Sequence, residues 1–501
     1  MRKQAAFLSA VWAATLLSCP TALAQDKPVP RLEKSECVTD ILKAAEAECH
    51  TFFAYENRDA KSGPVLELPV AVIGKSDQPN VRPVFYFPGG PGASPMGREA
   101  VVTNLRRAAG DHPLVLVDSR GMVHSKPALT CPDFEVISHY HNMFTNVTLG
   151  GRTPADRMKL YADGVRACHD KLVREGIDVS RYNEYEVARD TDEIRELLGY
   201  EKIDIIGTST GGGTANSYLR YFPESVGAAV FAWPWFSELR NRPLLDEYYT
   251  TKQIYLDTLS ICVSESEGCR AALSDDWMHS IEAVKNALDE KPFEVTVRTD
   301  KGEDRRLVFD GVTFIHHLYL VLADKYDILP KVVADVRQGN YEILNQFFDT
   351  AGASTFSSNP AWALGYYLSH VCGDMGKNRP SVEMTTRMLE AEPALIGFEP
   401  TVLCAWWGTD GAVPPQHSDP VKFDGPALSL HGQMDPCCSI RWGHQLKRHI
   451  PKLQSVVFPG EGHGWASECR AEIINAFLKS PGEEVDDSCA TSKPLKPWVL
   501  K

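Results

Sequence analysis

Three residues in a fixed order could do chemistry together: a serine in a glycine-rich turn, then an aspartate, then a histidine. Ser209 lies in Asp204-Ile205-Ile206-Gly207-Thr208-Ser209-Thr210-Gly211-Gly212-Gly213. An apolar run stops at Gly-x-Ser-x-Gly and a plausible helix, Ala215 to Tyr221, follows. Such a strand-turn-helix lifts a hydroxyl clear of its sheet. Asp435 comes just after the apolar run 427–431, in His431-Gly432-Gln433-Met434-Asp435-Pro436. His463 comes just after the run 455–458, in Pro459-Gly460-Glu461-Gly462-His463-Gly464. A hydroxyl becomes a nucleophile when an imidazole takes its proton and a carboxylate holds that imidazole in the right tautomer. Ser209, His463 and Asp435 are the candidates for those roles, and the chemistry is acyl transfer.

Acyl transfer also needs donors for the negative oxygen of the tetrahedral intermediate. The strand Arg82 to Phe87 runs into Pro88-Gly89-Gly90-Pro91-Gly92, a turn that presents bare backbone N–H groups. Such a turn either cradles phosphate or forms an oxyanion hole. No Gly-Lys-Ser/Thr follows it, which favours the second use. The expected donors are the N–H groups of Gly90 and of Thr210, the residue after the nucleophile. No CxxC and no Cys/His cluster of zinc spacing occurs, so neither a metal nor another cofactor is expected.

The elements that must position these residues alternate. Extended runs at 82–87, 113–117, 203–206 and 228–232 are interleaved with helical spacing over 161–174 and 188–198, which predicts an α/β fold with a mostly parallel sheet. Asp190 and Glu193 are expected to cap the second of these helices. Asp118 and Arg120 are expected to pair with each other and hold the loop after strand 113–117. From Trp235 to Phe423 helical stretches dominate (244–259, 277–288, 312–323, 329–336 and 342–348), with only 293–297 and 306–309 extended. This region, 235–423, reads as an inserted lid. It divides the core into 64–234 and 424–480, with an N-terminal extension at 25–63 and a tail at 481–501.

Residues 1–24 read as a signal peptide: Arg2-Lys3, the apolar stretch Ala5 to Leu17, and Ala22-Leu23-Ala24 as a cleavage site. Export to the periplasm or medium is the expectation, with lipid anchoring through Cys19 as the alternative. The formal net charge is −14, a balance that disfavours nucleic acid and anionic membrane surfaces as partners. No other run is apolar enough to span a bilayer. Twelve cysteines follow the leader, an even number that reads as disulfides.

Taken together, the motifs resemble the proline iminopeptidase and tripeptidyl aminopeptidase family of α/β-hydrolase serine exopeptidases. Gly-Gly-Pro-Gly at 89–92 carries the resemblance, with Asp118-x-Arg120-Gly121, Ala188-Arg189-Asp190, Leu197-Leu198-Gly199 and Gly462-His463-Gly464. It covers about residues 82–235 and 400–490, and is looser through the lid. The resemblance implies an α/β-hydrolase fold with a helical lid and release of residues or short peptides from peptide N-termini. A carboxylesterase or small amidase using the same triad is the alternative.

Disulfides Cys262–Cys269, Cys372–Cys404 and Cys469–Cys489 accord with the resemblance. Cys37–Cys49 and Cys131–Cys168 are the remaining expected pairs, and Cys437-Cys438 is either a vicinal bridge or two thiols. An exopeptidase of this kind would anchor the substrate's cationic α-amine on a carboxylate, and Glu238 and Asp374 are the candidates. The sequence departs from the family pattern at Pro88, Thr210, Val123 and Cys437-Cys438, all beside the expected substrate site.

Overall fold

Strand–helix alternation becomes, in a computed structural model, one nine-stranded sheet with helices packed against it. The structure describes residues 28–75, 81–131, 153–236, 246–273, 275–298, 304–315, 318, 325–343, 363–375, 380–392, 403–408, 413–465 and 467–500. The leader 1–24 and Glu238 lie outside them.

The strands are β1 (Arg31–Lys34), β2 (Glu48–Asn57), β3 (Ser62–Ile73), β4 (Val84–Phe87), β5 (Leu114–Val117), β6 (Ile203–Thr208), β7 (Val226–Ala232), β8 (Phe293–Arg298), β9 (Asp304–Phe309), β10 (Ala427–Gly432) and β11 (Leu453–Phe458). The large sheet runs β1-β2-β3-β5-β4-β6-β7-β10-β11. From β5 to β11 every pairing is parallel, whereas β1, β2 and β3 join antiparallel. β4, β5, β6 and β10 are buried along their whole length, which is why they read as unbroken apolar runs rather than alternating ones.

Parallel register places the site. Phe87 pairs with Gly207, Thr208 with Ala232, and Gly432 with Phe458, so the carboxyl ends of β4, β6, β7, β10 and β11 share one edge. The turns leaving that edge carry Gly89, Ser209, Trp233, Asp435 and His463. In open parallel sheets this is the edge where ligands bind.

Three expectations need correction. The stretch 25–63, read as an N-terminal extension, contributes Arg31–Lys34 and Glu48–Asn57 to the main sheet as β1 and β2, with the short helix Asp40–Ala44 between them. The helix over 188–198 begins earlier, at Glu184, and Asn183 caps it through Oδ1, which accepts from Glu186 N. Asp190 is therefore mid-helix, buried between Arg58 and Arg120. Asp118 and Arg120 do not pair: Asp118 accepts from Ser94 Oγ at 2.7 Å, while Arg120 takes Asp190 and the carbonyls of Glu56 and Arg181.

Among the described residues between β7 and β10 lie the helices Asp246–Glu265, Glu267–Leu273, Ser280–Glu290, Leu329–Arg337, Leu364–Met375 and Val382–Ala391, with the antiparallel hairpin β8–β9. None of the described helices is long and apolar enough to cross a membrane. Cys37–Cys49, Cys131–Cys168, Cys262–Cys269, Cys372–Cys404 and Cys469–Cys489 are disulfides.

Candidate active site

Ser209 follows β6 directly and heads the helix Gly211–Tyr221, with φ of +53°. A side-chain-bearing residue is strained there, at a cost of about 1–3 kcal/mol that the surroundings must over-determine. Its backbone is fixed on both sides. Its N–H donates to Ala232 O at 3.1 Å, and its carbonyl accepts from Gly212 N and Trp235 N, both at 2.8 Å. Glycine is demanded around it by contact. A β-carbon on Gly207 would lie 2.4 Å from Gly211 O, and one on Gly211 would lie 2.1 Å from Phe87 O.

Asp435 is fully buried after β10. Its Oδ2 takes His463 Nδ1 at 2.9 Å, while Oδ1 accepts from the backbone N–H of Cys437 at 3.0 Å and of Cys438 at 2.8 Å. Burial alone would raise its pKa, but the attraction and hydrogen bond of His463, with the two backbone donors, outweigh it and hold the carboxyl below its ordinary range. Asp435 therefore stays ionised and fixes the imidazole by Nδ1, leaving Nε2 to act.

The loop that carries His463 is tied from behind by a residue with no signature in sequence, Arg470. It is buried in the helix Glu468–Lys479, donating to Glu461 Oε2 at 2.9 Å and to Gly462 O at 3.0 Å. It also stacks 4.9 Å from the ring centres of Trp233 and Phe458.

Ser209, His463, Gly89 and Gly90 line one cavity of about 430 Å³. Trp233, Trp465 and Tyr86 give it aromatic walls, and Arg98 and Asn104 reach it from the helix Glu99–Ala109 and its cap. No Asp or Glu is among the described residues that line it. Gly90 has φ of +57° in the turn, and Thr210 opens the helix after the nucleophile. Gly90 lines the cavity together with Ser209, and Thr210 is the next residue along the chain.

Asp374 does not overhang the site. It is buried, accepts from Glu184 N at 2.9 Å, and lies 3.3 Å from His417. Glu184 belongs to the same cluster: burial first, then repulsion by Asp374, push its pKa well above the usual carboxylate range.

A sheet of this topology, with a strained serine after one strand and an Asp–His pair after two later ones, defines an α/β hydrolase. Residues 82–465 match the α/β hydrolase fold family, and the chain belongs to it. Over 176 residues the chain is 30% identical to a tripeptidyl aminopeptidase of Streptomyces lividans, a match spanning 34% of this chain and 32% of that relative. Among solved structures, a proline iminopeptidase of Mycobacterium smegmatis aligns over 87% of this chain and 98% of its own, at 15% identity and a TM-score of 0.41. An esterase from Rhodococcus sp. ECU1013 aligns over 83% and 96%, at 15% identity and a TM-score of 0.36.

Proposed function

We propose that the protein is a serine peptidase that releases residues or short peptides from peptide N-termini through an acyl-enzyme on Ser209. His463 takes the hydroxyl proton as Ser209 attacks the scissile carbonyl, then returns it to the leaving amine; water repeats the sequence to free the acyl group. Asp435 holds the imidazole, and the N–H groups of Gly90 and Thr210 receive the oxyanion. The observation that carries the reading is the Asp435–His463 hydrogen bond at the cavity into which the strained Ser209 turn opens. The partial likeness to a tripeptidyl aminopeptidase supports the peptide as substrate. The leader pattern at 1–24 and the five disulfides support action outside the cytoplasm.

A second reading, carboxylesterase or small amidase, is favoured by one feature: the described lining holds no carboxylate to receive an α-amine. The deciding experiment profiles the mature chain on aminoacyl, dipeptidyl and tripeptidyl fluorogenic amides, their N-acetylated forms, and simple acyl esters. Preference for free-amine tripeptides or shorter supports the peptidase. Equal cleavage of free and N-acetylated substrates, with faster ester hydrolysis, replaces it with the second reading. Ser209→Ala serves as the control for contaminating hydrolase.

A further inference from the structure

Two adjacent cysteines, outside all five disulfides, sit against the candidate triad. Their Sγ atoms are 3.1 Å apart, and Cys438 Sγ is 3.9 Å from Ser209 Oγ. Cys438 is buried and Cys437 half-buried. One ligand atom each from Asp435, Cys437, Cys438 and His463 all lie within 4.8 Å of one another.

Two sulfurs, an imidazole nitrogen and a carboxylate oxygen make a donor set for a soft or borderline divalent cation, not for magnesium or calcium. In a tetrahedral zinc site, bonds of about 2.0–2.3 Å place neighbouring ligand atoms roughly 3–4 Å apart. The two sulfurs, 3.1 Å apart, and His463 Nδ1 and Asp435 Oδ2, 2.9 Å apart, are near that spacing already. Hydrolysis requires none of the sulfur atoms, so the Ser–His–Asp chemistry does not explain a vicinal pair at this position.

We propose that Asp435, Cys437, Cys438 and His463 form a binding site for a thiophilic divalent cation, zinc or cadmium, and that its occupancy silences the hydrolase. On binding, each ligating thiol releases its proton to solvent and no electron is transferred. The cation takes the imidazole that would accept the Ser209 proton and the carboxylate that orients it. The silencing rests on the function proposed above; the binding does not.

The test adds cadmium chloride to the purified full chain, stripped of metal and carrying its disulfides. The expected result is a thiolate-to-cadmium charge-transfer absorption that saturates at about one equivalent, as two thiolates on one ion would give. Hydrolysis of the best substrate should fall in parallel and return on adding a chelator. Cys437→Ser and Cys438→Ser should each weaken the absorption and raise the cadmium concentration for half-inhibition by about 10-fold or more.

Circular dichroism checks that both variants fold, and Cys437→Ala, at the half-buried position, repeats the test if Cys438→Ser does not. Saturating cadmium with no charge-transfer band in a chain whose two thiols are titratable overturns the site. Inhibition unchanged in both serine variants overturns it as well. A band without loss of activity overturns the silencing alone. A chain that hydrolyses neither peptides nor esters overturns the functional reading, while the band still decides the site.

Discussion

Gly89 lies so close to Ser209 that a β-carbon on the glycine would sit 2.5 Å from the serine's own β-carbon and 2.7 Å from Thr208 O. The turn after β4 and the turn after β6 are thus in van der Waals contact through bare backbone. Gly90, the next residue, is the proposed second oxyanion donor. Gly89→Ala cannot be relieved by a flexible side chain, since the atoms it meets are backbone and a β-carbon. It should push the two turns apart and lower kcat by roughly 10²-fold or more, the scale of losing one oxyanion donor. Steady-state kinetics with the melting temperature measured alongside checks this; a variant that folds and turns over normally would show the turn does not serve the site.

Removal of the proposed nucleophile should be a larger effect. Ser209→Ala should reduce kcat by on the order of 10⁶ while the fold survives, and Asp435→Asn by roughly 10⁴, because the imidazole is then held in the wrong tautomer. Near-normal turnover by Ser209→Ala, free of contaminants, would remove the mechanism.

Arg120 anchors a different part of the molecule. It is fully buried, donating to both oxygens of Asp190 at 2.7 Å, and Asp190 also faces Arg58. Burial of Asp190 acts to raise its pKa, but the two guanidiniums prevail and lower it. Arg120→Ala leaves a buried carboxylate short of one counter-charge and should cost about 3–5 kcal/mol in denaturant unfolding. A loss under about 1 kcal/mol, the scale of an exposed pair, would show that the cluster is not energetically coupled.

Sequence reveals the site more readily than its supports, for a physical reason. Ser209, Asp435 and His463 are each fixed by a local pattern, an apolar strand followed by a tight turn, and parallel register then brings the turns to one edge. β1 and β2 escaped because the buried face of β2 carries His50 and Glu56 alongside Phe52 and Ala54, which weakens its apolar alternation, and because a short helix precedes it. Arg470 and the Arg58–Arg120–Asp190 cluster join residues 61 to 132 positions apart or act across a folded loop, and no spacing announces them. The misplaced helix cap has the same origin: acidic residues mark a first turn, but here the acids at 190 and 193 serve Arg58.

Asp374, expected from sequence to anchor a substrate amine, belongs to the interior. Its Oδ1 accepts from the Glu184 N–H, and after burial its repulsion is the next cause that raises the Glu184 pKa. Asp374→Asn should therefore alter stability and leave the ratio of kcat/KM for free-amine and N-acetylated peptides within about 2-fold, far from the roughly 10-fold change that losing a desolvated ion pair would bring. A collapse of that ratio in a folded variant would return Asp374 to substrate recognition.

His431, in β10, gives the protein a predictable acid sensitivity. The ring is buried, and neither nitrogen has a hydrogen-bond partner among the described residues. Burial drives its pKa down to about 4. The unfolded chain holds the ordinary value of about 6.5, so between those limits it binds a proton that the folded chain refuses. Stability from this group is full above about pH 6.5 and is lost as pH falls toward 4, in total on the order of 3 kcal/mol. His431→Leu keeps the volume, strands no partner, and removes the titration. Its unfolding free energy should fall less between pH 7 and pH 4.5 than that of the parent, by about 2–3 kcal/mol. Denaturant melts at the two pH values read this directly. Parallel decline in parent and variant would mean that His431 is protonated in the fold, with a counter-ion or water supplying what the packed ring lacks.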